Sequence, residues 1–430
     1  MPRSIRLLIA ATLMASAATA QIRLPSVSLP TLPLQGLQTS DPLQSSSLDR
    51  LSDVRHLALS RLIRANRQTI DTDPQGEPVI RSEILAMSPG DAALQGARAR
   101  GFSIDREQLI ESLNIHLVVL KAPPEMSTKK ALRSLRDADP GGSYDYNHVY
   151  SGGGAVSATP AAAIETPEPP AQPTSDSPVR VGLLDTGIDV THPVFSASSV
   201  HAWGCDNHPV PAAHGTAVAS LLVGGSGIFQ GAEPGAELYA ADVYCGRPTG
   251  GAVDALVAAL AWLVQEKVPV INVSLVGPKN ALLERVIGEL IRSGYIIVAA
   301  VGNDGPAAPA LYPASYPNVV GVTAVDAHNR VLLEAAHGPQ VMFAAPGADL
   351  AAAGGEHTYA SVRGTSFAAP LVAGLLAAHL AKPDAAAAAS AIDAVKLTAV
   401  DLGAPGRDLT YGFGLVGASL RIDPGALIRK

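Results

Sequence analysis

From Val179 onward the chain alternates short apolar segments with alanine-rich stretches of helical length. Segments 181–184, 268–273, 296–300 and 319–325 are dominated by Val, Ile, Leu and Ala. A strand with one wet face alternates apolar and polar residues, whereas one buried on both faces reads as a near-continuous apolar run. Stretches 214–222, 252–264, 281–293 and 366–380 lie between or after them and fit helices. Strand–helix alternation of this kind predicts an α/β fold, a parallel sheet covered by helices on both faces. Aromatic residues make up 4% of the 430 and charged residues 16%. The core is therefore expected to be built from small side chains packed closely.

The chain before Val179 reads differently. Arg3 and Arg6 precede the apolar run Leu7 to Ala15, and Ala18-Thr19-Ala20 follows. This predicts a signal peptide over 1–20 with cleavage near Ala20. Residues 21–77 form a leader rich in Pro, Ser, Leu and Gln at its start, with one amphipathic helix expected over 48–68. The block 78–150 reads β-α-β-β-α-β. Its strands fall at Val79-Ile80 with Ile84-Leu85, from Phe102, at His116 to Leu120 and at Tyr144 to Tyr150. Ser88-Pro89 is read as the start of its first helix, with Gly101 ending it, and Ser127 as the cap of the second. Residues 151–178, with Gly152-Gly153-Gly154 and Thr166-Pro167-Glu168-Pro169-Pro170, read as a linker open to processing. The body is then 179–430.

Four short sequences carry chemistry. Leu184-Asp185-Thr186-Gly187 supplies a carboxylate, His214-Gly215-Thr216 an imidazole, Val301-Gly302-Asn303-Asp304-Gly305 an amide, and Gly364-Thr365-Ser366-Phe367-Ala368-Ala369-Pro370 a hydroxyl. A serine hydroxyl is a poor nucleophile near neutral pH. It needs a base in hydrogen-bond reach, and the base needs an orienting acceptor. Ser366 opens a helix, where outward backbone N–H groups favour developing negative charge. Singly these signals are weak, apart from the serine motif. Together, their specificity lies in the match of their order, Asp, His, Asn, Ser, and their spacings of 29, 89 and 63 positions to one known family.

These motifs resemble those of the subtilisin-like serine proteases, the subtilases, over about residues 179–422. Tyr411-Gly412-Phe413-Gly414 is similar to the family's C-terminal region. The resemblance implies an Asp185–His214–Ser366 triad and an oxyanion hole made by Asn303 and the Ser366 N–H. It implies that 78–150 is a ferredoxin-like α+β prodomain acting as an intramolecular inhibitor. It also implies that Ser274-Leu275-Val276-Gly277 and Gly250-Gly251 flank an extended substrate. Val276 stands where the family usually has glycine, which suggests small or medium apolar residues before the cut; Asp304 nearby suggests a basic one, and the sequence leaves both open. Cys205 and Cys245 follow strands that the resemblance makes neighbours, so a disulfide is expected, with two buried thiols as the alternative.

The loop Gly224-Gly225-Ser226-Gly227 lacks the oxygen ligands of the family's high-affinity calcium loop, so no calcium is expected there. Nor is a cofactor expected. His148, His192, His201, His208, His328 and His337 have no ligand partners at metal-site spacing, which gives no metal reading. Net charge is −7 and no basic run stands out, which argues against nucleic acid as a partner. No segment after the signal peptide is long enough to span a membrane. The expected product is an exported endopeptidase, periplasmic or secreted, made as a zymogen and acting on proteins or peptides. The alternatives are a catalytically idle envelope protein that keeps its prodomain and binds partners, or another acyl transfer run on the same triad.

Overall fold

The body forms because its apolar runs split by parity between two faces. In the strand Arg180–Asp185, Val181 and Leu183 join one hydrophobic cluster and Leu184 the other. Ile296, Val298 and Ala300 likewise divide from Ile297 and Ala299. Seven strands make the sheet, in the order Val341–Pro346, Val320–Val325, Ile296–Ala300, Val270–Val273, Arg180–Asp185, Glu237–Asp242 and Val200–Trp203. Every pairing is parallel. Helices Ala213–Val223 and Thr365–Ala377 cover one face; Val253–Gln265 and Ala281–Arg292 cover the other. The expected doubly covered parallel sheet is present, and Ala and Val fill much of its interior, as the low aromatic content requires. This is a computed structural model that describes residues 57–157 and 178–427. The signal peptide, the leader to residue 56 and the linker from 158 to 177 lie outside them.

The block before the body is a second layer pair. Strands Pro78–Met87, Ser103–Ile110, Ile115–Lys121 and Ser143–Gly152 lie in the spatial order fourth, first, third, second, all antiparallel. That is the split βαβ arrangement that its element order implies. Ile84, Ala86, Val118 and Leu120 face the block's own helices, Asp91–Ala99 and Thr128–Ala138. Leu85, Met87, Leu117 and Val119 face the body and join the cluster of its helices Val253–Gln265 and Ala281–Arg292. Each such side chain removed from water contributes about 1.5–3 kcal/mol to the attachment.

One local detail adds to the sequence reading and two differ from it. The two apolar pairs at 79–80 and 84–85 belong to one strand, interrupted by a register shift where Ser82 takes φ 62° and donates its N–H to Thr128 Oγ1. The first helix starts at Asp91, with Gly90 as its cap. Ser88 is instead a turn residue at φ 46° whose Oγ accepts the His116 N–H, so its side chain is engaged across the sheet and not on the helix. Most consequential, the glycines at 152–154 are not slack. The strand runs through Gly152, and Ala155–Ser157 is a further strand paired with Tyr359–Arg363 of the body.

Candidate active site

The site gathers at the C-terminal ends of the parallel strands, the crevice that open α/β sheets offer to ligands. Asp185 ends its strand and is fully buried. Its Oδ1 accepts the Thr186 N–H at 2.7 Å and faces His214 Nδ1 at 2.8 Å. His214 stands in the first turn of Ala213–Val223, and the Gly215 N–H beside it donates to Thr186 Oγ1 at 2.9 Å. The turn after the aspartate and the start of the helix are thus tied together, and the imidazole cannot drift from the carboxylate.

Ser366 stands in the first turn of Thr365–Ala377 and is buried. Asn303 follows the strand Ile296–Ala300. Its Oδ1 accepts the Thr365 N–H at 2.9 Å, which leaves its Nδ2 buried and without a hydrogen-bond partner. An amide locked by its oxygen and aimed by its nitrogen is what an oxyanion donor requires. Ser274 supports the serine from behind: its Oγ donates to the Ser366 carbonyl at 2.9 Å and accepts from Asn272 Nδ2 at 2.9 Å.

One expected contact is not formed. The imidazole was expected to bridge carboxylate and alcohol, yet His214 Nε2 has no hydrogen-bond partner. The Ser366 hydroxyl donates instead to the Gly153 carbonyl and lies 3.3 Å from that of Ser274. The reason is occupancy: the chain's own segment 150–157 runs through the cleft. Burial by itself would push the His214 pKa down. The Asp185 charge and hydrogen bond, helped by the nearby Gly153 carbonyl, outweigh it and hold the imidazole above its usual 6.5.

The residues expected to flank a substrate fall along this segment. Leu275 pairs with Gly152 and Val276 with Ser151 on one side; Gly251 pairs with Tyr150 on the other. Gly277 lies under the Tyr150 ring, and Gly250, at φ +104°, lies against the Tyr150 carbonyl. Cys205 and Cys245 are disulfide-bonded with Cα atoms 5.2 Å apart. His192 caps a short helix, its Nδ1 accepting the Val194 N–H. Asp242 beside the cysteines accepts the N–H groups of Tyr244, Cys245 and Val210, so its carboxylate is committed to backbone. Tyr244 is a contact that motif reading passed over: its hydroxyl accepts the Gly152 N–H. Its position next to Cys245 was the available signal, since the disulfide holds that loop against the cleft wall.

The Subtilase family model matches residues 176–414. The chain is a subtilase. Subtilisin DY of Bacillus licheniformis is 33% identical over 251 residues, covering 55% of this chain and 88% of that protein. Subtilisin BL of Lederbergia lenta is 34% identical over 248 residues, covering 56% and 90%. Fervidolysin of Fervidobacterium pennivorans, a keratinolytic enzyme related to subtilisin, has a crystal structure that superposes with a TM-score of 0.67 at 20% identity, a likeness of fold. That match covers 82% of this chain and 62% of fervidolysin. This subtilase is therefore a subtilisin-like serine endopeptidase. No described helix is long and apolar enough to cross a membrane.

Proposed function

We propose that the protein is an exported endopeptidase made as an autoinhibited zymogen, with Asp185, His214 and Ser366 as its triad. His214 takes the Ser366 proton as the hydroxyl attacks the scissile carbonyl, and Asp185 holds the tautomer with the free nitrogen toward the serine. Asn303 Nδ2 and the Ser366 N–H receive the oxyanion; one such donor contributes about 3–4 kcal/mol to lowering the barrier. His214 then protonates the leaving amine, and water hydrolyses the acyl-enzyme by the reverse sequence. Each group called on belongs to the chain, and no cofactor is required.

The observation that carries this reading is the 2.8 Å contact from His214 Nδ1 to a buried carboxylate, beside a buried, unpartnered amide and a serine hydroxyl. Inhibition by the 78–150 block is supported by its last strand, which runs on into the cleft between Gly251 and Leu275. The base works only when neutral, so activity should fall on the acid side with a midpoint above 6.5, where Asp185 holds the imidazole.

Expression of the full chain beside Ser366→Ala tests the reading. The native chain should shorten, hydrolyse casein and label with a fluorophosphonate, while the variant stays full length and inert. A native chain that does none of these would leave the alternative of an idle binding protein.

A further inference from the structure

We propose that this protease is glycine-directed: it cuts its own chain between Gly153 and Gly154, and the positions flanking the cut accept glycine in preference to any residue with a side chain. The inference rests on the protease reading of the same site and adds the bond and the selectivity.

The register identifies the bond. Before the cut, Tyr150 pairs with Gly251, Ser151 with Val276 and Gly152 with Leu275. After it, Ala155 pairs with Arg363, Val156 with Val362 and Ser157 with Ser361. Gly153 and Gly154 lie between the two ladders, and the Ser366 hydroxyl donates to the Gly153 carbonyl. Attack there joins Ser366 Oγ to the Gly153 carbonyl carbon. The C–N bond to Gly154 breaks, and the proton that His214 took from the serine passes to the Gly154 nitrogen. Water then cleaves the ester, leaving a Gly153 carboxylate and restoring the serine hydroxyl.

The walls explain the glycines. A Cβ at Gly152 would lie 3.1 Å from His214 Cε1 and 3.2 Å from Nε2. The imidazole cannot retreat, because Nδ1 is held by Asp185. Nor can the strand readily back away, because Tyr244 holds the Gly152 N–H and is itself fixed through Asp242 and the adjoining disulfide. A Cβ at Gly153 would lie 2.7 Å from Asn303 Nδ2, whose amide is pinned by Thr365. At Gly154 it would meet Phe367 at 2.8 Å and the Arg363 carbonyl at 2.9 Å, in a backbone at φ +127° that side chains disfavour. Two residues upstream of this run the wall reverses its demand. Tyr150 is fully buried, its hydroxyl donates to the Pro278 carbonyl, and a Cβ at Gly277 would lie 2.7 Å from its ring. The preferred substrate is an extended segment with an aromatic residue, any small residue, then glycines across the cut.

The test uses the native full chain and its mature product. N-terminal sequencing should find the body beginning at Gly154. The mature enzyme should cut a peptide Tyr-Ser-Gly-Gly-Gly-Ala-Val-Ser with a kcat/KM roughly 10²-fold above that for the same peptide with alanine at the third position, because the added methyl meets an imidazole that cannot yield and shifts the scissile carbonyl away from Ser366. Tyr244→Ala, which lets the strand shift, should narrow that ratio by about tenfold, since releasing the Gly152 N–H lets the strand make room for a methyl. A different first cut, equal cleavage of the two peptides, or a ratio unmoved by Tyr244→Ala when Tyr244→Phe still cuts the glycine peptide would overturn the inference and leave the protease reading standing. A chain that neither shortens nor labels with a fluorophosphonate would overturn both.

Discussion

The N-terminal block and the catalytic body are both helix-on-sheet layers, but they place their buried polar groups to different ends. In the body, Asp185, Asp242, Asn272, Ser274 and Ser366 are buried at or beyond the strand ends, where they build the site or brace it. In the block, Glu83, Asn147 and His148 are buried where it meets the body, and Asp73, in the turn between a short strand Ile70–Thr72 and the block's first strand, is buried against His148. Asn147 Nδ2 donates to Glu83 and to Asp254 of the body, each at 2.8 Å, and Arg106 bridges the same two carboxylates. Asn280 of the body donates to the Tyr146 carbonyl, and the Asp145 carboxylate accepts the Ala281 N–H at the start of a body helix. A negative side chain there complements the helix N-terminus. A parallel sheet buried on both faces supports a rigid constellation. An antiparallel sheet with one face on a neighbour supports attachment, made here by the apolar Leu85, Met87, Leu117 and Val119 together with these polar groups.

The largest effect expected separates chemistry from folding. Ser366→Ala should lower kcat/KM by at least about 10⁴-fold and leave block and body joined in one chain, read by intact mass and by the unfolding curve. Next, in that uncut background, Cys245→Ser should destabilise the body by about 4 kcal/mol, because the disulfide closes a separation of 40 residues; denaturant unfolding measures it. A change confined to the block would contradict the division drawn here. Asn303→Ala should cost about 10²–10³-fold in kcat with KM nearly unchanged, as the amide acts on a charge present only in the transition state.

A smaller effect belongs to the block and depends on pH. Burial alone would raise the Asp73 pKa, but hydrogen bonds from His148 and from the Glu77 and Gln75 N–H groups outweigh it, and the net value lies below the usual carboxylate range. A depressed native pKa contributes stability that is present above the unfolded value of about 4 and is lost as pH falls through the native one. Ser366→Ala precursor should therefore lose block stability in that acid window, and Asp73→Asn should remove the dependence. Smallest of all, Arg106→Ala should speed release of the block only a few-fold after processing, with the difference shrinking in salt. Its side chain is 43% exposed, and exposed ion pairs contribute about 1 kcal/mol or less.

Much of the site was legible in short motifs because each encodes a local requirement. A carboxylate must end a buried strand, an imidazole must open a helix beside glycine, and a serine must follow a left-handed glycine. Gly364 indeed takes φ +139° before Thr365. The Asp185–His214 contact, the Asn303 placement and the disulfide all sit where those motifs point. What motif reading did not reach was set by partners far along the chain. Gly152 to Gly154 have a linker's composition, yet a Cβ at any of them would press on His214, Asn303 or Phe367. Gly152 pairs with Leu275, and Ala155 just beyond the run pairs with Arg363, each more than 120 residues away, and no local period reports such pairing. The same holds for Tyr244, which reads only as the end of a strand before Cys245 until its hydroxyl is found accepting the Gly152 N–H.

Chain order and periodicity by themselves pointed to the doubly covered sheet, and the short motifs, through their family resemblance, to Asp185, His214, Asn303 and Ser366 as the residues proposed for orienting acid, base, amide donor and nucleophile, because each motif depends on backbone geometry within a few residues. Only the tertiary structure decided that the serine faces Gly153 in place of the imidazole, and that the pairing in the cleft runs on past Tyr150 to Gly152 and resumes at Ala155. Those outcomes depend on which of several extended segments wins the same row of backbone hydrogen bonds, a competition settled by packing between the two layers.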